Sequence, residues 1–196
     1  MLELLVADRF TKLTKAIFNM GKEKAYLGID PGSVGCLACQ CDGKWEWYFL
    51  CEMDYRQLAE TFRKLRQNYD QIACVMEDVK AVHGSSSTST FSFGENKGML
   101  LGMLNAFNIP YTLVPPRVWQ AECWIAADKQ YTTKIVKDKN GMYQTKKSVN
   151  TKPTSINAAK RLFPMIDFKR NDRCKKIDDN KVDATLMSEY ARRKNL

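Results

Sequence analysis

The chain has 196 residues, 44% of them hydrophobic, and a formal net charge of +9. That length fits one domain with extensions, and no apolar run of about 18 residues or more is present to span a membrane. Seven cysteines without the density of a small secreted scaffold point to free thiols in a reducing compartment, so a cytoplasmic location is expected.

In chain order, residues 2–20 predict an amphipathic helix. Leu2, Leu5, Val6, Leu13, Ile17 and Phe18 recur at helical spacing and Gly21 suits the stop. Glu3, Asp8 and Arg9 interrupt its apolar part, unlike a secretory leader. Three strand candidates follow: KAYLGID, then GCLACQC and KWEWYFL, the last two joined by the hairpin signal Asp42-Gly43. Asp54 is placed to cap a helix with Leu58, Phe62, Leu65 and Tyr69 on one stripe. The apolar run IACVMEDV reads as a central strand covered on both faces. A Ser/Thr-rich loop then leads to a helix through GENKGMLLGMLNAF, a short strand in IPYTLVPP and a helix around Trp119. Residues 127–150 are polar and Lys-rich and read as a loop inserted into the domain. INAAKRLFP and DDNKVDATLMSEYARR predict two closing helices. The order predicts a single α/β domain, a mixed sheet flanked by helices.

The charge is uneven. Fourteen lysines and arginines lie between Ala127 and Lys176 against four aspartates. Such a concentrated field suits a polyanion, above all nucleic acid, although a merely solvated basic surface has the same composition.

The acids are placed where they are costly. Asp179, Asp183, Leu186 and Tyr190 fall on one face of the last helix, so two like charges one turn apart share a half-buried surface. Asp30 ends the first strand and Glu77 ends the central one, and strand ends of α/β sheets are where sites form. Four such carboxylates suit hard cations, Mg²⁺ or Mn²⁺, and a pair of ions is the arrangement that clamps both oxygens of a phosphodiester displacement. Bland readings stand beside this one. Asp30 sets a turn before Pro31, Glu77 is a surface acid beside a better-placed Asp78, and Asp179 is only a helix cap.

The segments GIDPGSVG, VMEDV and HGSSSTSTFSFGENKGMLLGMLNAFNIPYTLVPPRVW, with INAAKRLFP and DDNKVDATLMSEYARR, resemble in order the RuvC-like Holliday junction resolvases, especially their phage and viral branch. The resemblance spans residues 26–193. It implies an RNase H-like fold with a mixed five-stranded sheet, and four catalytic, metal-holding acids at Asp30, Glu77, Asp179 and Asp183. It also implies two Mg²⁺ or Mn²⁺ ions per site, a homodimer, and paired nicks across a four-way DNA junction in a host-cell cytoplasm. Lys152 matches a basic position of the family and is the candidate to touch the scissile phosphate. Forks, flaps or other branched nucleic acid are the alternative targets of the same acids.

Some positions depart from the family pattern. Lys181 and Val182 stand where small residues are usual and Thr185 where a leucine is, while Asp178 could shift the third acid by one. Residues 1–22 precede the usual start, which leaves 23–196 as the nuclease domain. The extra helix packs either on its own domain or in a dimer interface.

For nucleic acid, Phe91 and Phe93 are candidates to stack on unpaired bases, one of them being a core anchor instead. Lys134, Lys137, Lys146, Lys147, Lys160 and Arg161 are candidates for phosphate contacts. Cys36 and Cys39 would point to opposite faces of a strand, against a zinc site. His83, the only histidine, rules against a Ser-His-Asp mechanism but allows an auxiliary role. No Walker-type Gly-Lys-Ser/Thr is present, so no nucleotide cofactor is expected.

Overall fold

The computed structural model describes residues 24–79, 86–137 and 141–196. The helix read at 2–20 and His83 lie outside the described residues. The chain starts with β1 (Lys24–Asp30), turns through Pro31–Gly35 and returns as β2 (Cys36–Cys41). Asp42 and Gly43 both adopt positive φ, 45° and 77°, as the tight hairpin into β3 (Lys44–Phe49) requires. Then come α1 (Tyr55–Asn68), β4 (Gln71–Glu77), α2 (Ser87–Ala106), β5 (Tyr111–Val114) and α3 (Pro116–Cys123). A second, two-stranded sheet follows, β6 (Gln130–Lys137) and β7 (Tyr143–Asn150), and α4 (Thr151–Leu162) and α5 (Asp179–Arg193) close the chain.

The main sheet has the order β3-β2-β1-β4-β5. β4 runs parallel to β1 and β5, β2 runs antiparallel to its neighbours, and so only β2 opposes the others. This is the mixed five-stranded sheet flanked by helices that the sequence predicts, with the layout of an RNase H-like fold. Strand alternation divides the core. Leu27 and Ile29 of β1 and Cys74 and Met76 of β4 pack on α1 and α2 through Leu58, Phe62, Leu65, Leu100 and Leu104. Val75 faces the other way, onto Trp119, Ala158, Val182, Leu186 and Met187 of α3, α4 and α5. β4 is therefore covered on both sides, which explains its unbroken apolar run.

α5 lies against β1 with no room to spare. A Cβ on Gly28 would come within 2.1 Å of the Ala184 carbonyl and 2.4 Å of the Ser188 amide, so only glycine lets the helix settle there. Ser188 fixes the contact by donating from Oγ to the Tyr26 carbonyl at 2.9 Å. Two of the α5 residues that depart from the resembled pattern, Lys181 and Thr185, also have work to do. Lys181 buries its ammonium over the Trp47 ring, 4.2 Å from the centroid, and donates to the carbonyls of Asp167 and Lys169. Thr185 Oγ1 accepts from Trp47 Nε1 at 2.9 Å. Together they tie β3 and the 167–169 segment to the start of α5.

Two elements differ from the sequence reading. The Ser/Thr-rich segment is no loop from Ser87 onward. Ser86 caps α2, its Oγ accepting from the Ser89 amide at 3.2 Å, and the poor helix formers behind it sit in the first turn, where Thr90 Oγ1 donates to the Ser86 carbonyl at 3.1 Å. Within the stretch read as a loop, Gln130–Lys137 and Tyr143–Asn150 pair as a β-ribbon. Tyr131, Thr132, Thr133, Ile135 and Val136 in one strand, and Tyr143, Thr145 and Val149 in the other, supply strand propensity that the polar composition masked.

Candidate active site

Asp30 and Glu77 end adjacent parallel strands. Ile29 pairs with Met76, so the two acids take the next step of the same ladder, about 5 Å apart at the backbone. Parity decides where they point. Ile29 and Met76 face α1 and α2, so Asp30 and Glu77 face α5. Asp78 turns the opposite way and pairs with Lys97 of α2 at 2.7 Å. Asp183 precedes Ala184, the residue seated against Gly28, which brings its carboxylate to the same strand ends.

Each acid is held. Asp30 Oδ1 accepts from the Gly32 amide at 3.1 Å, within a turn closed by Gly35 N–H donating to the Gly32 carbonyl at 2.8 Å. A Cβ on Gly35 would strike the Asp30 carbonyl at 2.1 Å. The Pro-Gly-Ser-Val-Gly turn therefore exists to fix one carboxylate at the strand end. Glu77 Oε1 accepts from Trp119 Nε1 at 3.1 Å. Asp183 is hydrogen-bonded to Ser155 of α4. Lys152 at the start of α4 pairs with Asp179 at 2.8 Å.

The electrostatics describe one cluster. Burial pushes the Asp183 carboxyl up to about 8, against the pull of Ser155, and Asp30, Glu77 and Asp179 push it in the same direction as burial. A little of Asp183 stays exposed, but its Oδ1 is shut away from solvent without a hydrogen-bond partner. Burial, with Asp30 beside it, raises Glu77 to about 7, and the Trp119 indole lowers it. Asp30 is also raised, first by burial, with Gly32 and Lys152 opposing and Asp178 adding to the shift. Lys152 is held in its charged form mainly by its hydrogen bond to Asp179, then by Asp183 and Asp30. Asp183 is the common neighbour: it feels Asp30, Glu77 and Asp179, and Lys152 feels Asp179, Asp183 and Asp30.

Asp178 has other duties. Its Oδ1 caps α5 by accepting from the Asn180 and Lys181 amides, and its Oδ2 pairs with Arg170 at 2.7 Å. The carboxylate turned towards Lys152 is that of Asp179.

Among the described residues, no group of three or more acid, histidine or cysteine side chains is drawn tightly enough to encircle an ion; Glu77, Asp179 and Asp183 each have a partner of their own. The donor set nevertheless fits a divalent cation. It is all carboxylate oxygen, and one of those oxygens is buried with nothing to satisfy it.

The other predicted residues scatter. Phe91 is 73% exposed on the first turns of α2 and Phe93 is half-buried. Lys160 is exposed on α4. Arg161 is committed elsewhere, since it grips buried Asp128 through Nε and Nη2 at 3.0 and 2.8 Å and donates to the Cys123 carbonyl. Lys134, Lys137, Lys146 and Lys147 all lie on the β6–β7 ribbon. Cys36 and Cys39 are buried on opposite faces of β2, as strand alternation requires. Sequence reasoning passed over Trp119 as a holder of Glu77, although the residue itself stood out. Ser155 carries no sequence signal at all.

No protein-family model and no curated protein matches the chain. Among solved structures, its backbone is similar to that of Thermus thermophilus RuvC in complex with a Holliday junction substrate, with a TM-score of 0.47 and 9% identity over 87% of this chain and 96% of the other. It is similar again to a Thermus thermophilus RuvC structure, with a TM-score of 0.44, 10% identity and the same coverage.

Proposed function

We propose that this chain is a divalent-metal-dependent endonuclease acting on branched DNA, with four-way junctions as its substrate and a homodimer as its working form. The observation that carries the reading is the acid cluster. Three strand-end and helix carboxylates with raised proton affinity meet around an unsatisfied Asp183 oxygen, with a fourth acid and a lysine at the rim. Buried carboxylates that also repel one another make physical sense as a cation site. Asp30, Glu77, Asp179 and Asp183 would hold Mg²⁺ or Mn²⁺, which supplies Lewis-acid stabilisation of a phosphodiester's developing charge and a more acidic bound water.

The chain's own residues do the rest. The Gly32 amide, the Trp119 indole and Ser155 each orient one carboxylate, so the cluster is organised before substrate arrives. Lys152, exposed on its outer side and paired with Asp179, would meet the non-bridging oxygens of the phosphate to be cut. The basic excess between Ala127 and Lys176 supplies the attraction for the remaining backbone. Two copies related by a two-fold axis would cut opposed strands symmetrically, as a four-way junction requires. Synthetic four-way, forked, flapped and linear DNAs incubated with the protein in Mg²⁺ test this directly. Paired nicks in the four-way substrate support the reading. Cutting confined to forks or flaps moves the target, and no cutting of any branched DNA refutes it.

A further inference from the structure

We infer that the β6–β7 ribbon is an arm that grips the phosphate backbone of the duplex flanking the cut site, an inference that rests on the nuclease reading above. Both faces of the ribbon are exposed along nearly its whole length. A two-stranded sheet in that state is marginal by itself and needs something to cover it. Its register makes matters worse, because Lys134 stands directly opposite Lys146, and like charges at cross-strand positions repel. On the reverse face Lys147 lies 4.3 Å from the centre of the Tyr131 ring. β6 and β7 carry four lysines and no acid. A chain that places two ammonium groups side by side on a solvent-facing sheet is built for a partner that is itself closely and repeatedly negative, and a phosphate backbone is such a partner. Two-stranded ribbons are also of a size that a DNA groove admits.

The root fixes where the arm works. Thr154 Oγ1 accepts from the Gln130 amide at 3.0 Å and donates to the Asn150 carbonyl at 2.7 Å, locking both strands to the first turn of α4. That turn carries Lys152, the partner of Asp179. The ribbon therefore springs from the edge of the acid cluster. Eight residues at about 3.4 Å each carry its tip roughly 24–27 Å away, or about seven base pairs along a duplex. The Lys134–Lys146 face lies on the phosphates of that arm.

The test is DNA binding by the full chain in EDTA, where cutting does not intervene, read as affinity against salt concentration. A four-way junction with arms of about 15 base pairs, longer than the ribbon's reach, serves as the probe. On the long-armed junction, Lys134→Ala/Lys146→Ala should flatten the salt slope by about 2, at roughly 0.9 for each phosphate that is no longer neutralised. Lys134→Arg/Lys146→Arg should keep the wild-type slope. An unchanged slope on long arms overturns the inference. So does an unchanged slope with altered sedimentation of the free protein, which would assign the ribbon to a second copy of this chain. Junctions cut normally with an unchanged slope refute the ribbon alone. A steep, ribbon-dependent slope with no cutting of any substrate refutes the nuclease reading and leaves the ribbon in place.

Discussion

Asp183 is buried and feels three other acids, with one oxygen unsatisfied. Removing its charge should have opposite effects on stability and on chemistry. Asp183→Asn should raise the melting temperature of the metal-free protein at pH 8. Relief of only about 2 kcal/mol of repulsion corresponds to roughly 4–8 °C in a domain of this size. The same variant should lose cleavage, and a melting temperature equal to or below wild type would mean the cluster is not strained. Trp119→Phe removes the one donor that holds the Glu77 proton affinity down. A hydrogen bond to a charged group is worth about 1.5–3 kcal/mol, so cleavage at pH 7 should fall by about tenfold or more, with less loss at pH 9. A loss independent of pH would reduce Trp119 to a packing role. The four acids were legible in the sequence because spacing and strand ends are positional. Their holders were not, because a donor such as Ser155 or the Gly32 amide leaves no periodic trace.

At the scale of elements, the seating of α5 on β1 decides whether the acids meet. Gly28→Ala would drive a methyl into the Ala184 carbonyl and Ser188 amide, both of them backbone and unable to step aside. Overpacking of this kind costs about 3 kcal/mol, so the melting temperature should fall by roughly 6–12 °C, measured by thermal unfolding. A neutral result would show that α5 can ride higher on the sheet. The strands and α1 were readable from local chemistry. Asp42-Gly43 forced the hairpin, and Asp54 with Gln57 makes a reciprocal capping box. The first turn of α2 and the β6–β7 ribbon were not readable. One begins with residues that favour turns over helix interiors, and the other has no buried face to impose a visible alternation.

For the whole molecule, the pH response follows from the two large shifts. Asp183 and Glu77 rise from ordinary values of 3.8 and 4.5 to about 8 and about 7 in the folded chain. Between those limits the folded state binds more protons than the unfolded one, so this contribution is fully present below about pH 4 and is lost as pH rises towards 8. The metal-free melting temperature should therefore decline from pH 5 to pH 8.5. Mg²⁺ or Mn²⁺, binding only the ionised cluster of the folded state, should restore more of it at pH 8 than at pH 5. Equal metal effects at both pH values would place the ions elsewhere.

The most direct measurement is cleavage of a four-way junction in Mg²⁺ by wild type and by Asp30→Asn. Wild type should introduce paired nicks. The variant should bind the junction almost as tightly, since affinity rests on phosphate contacts, and cut nothing. A variant that cuts like wild type, or a wild type that leaves every branched substrate intact, contradicts the account.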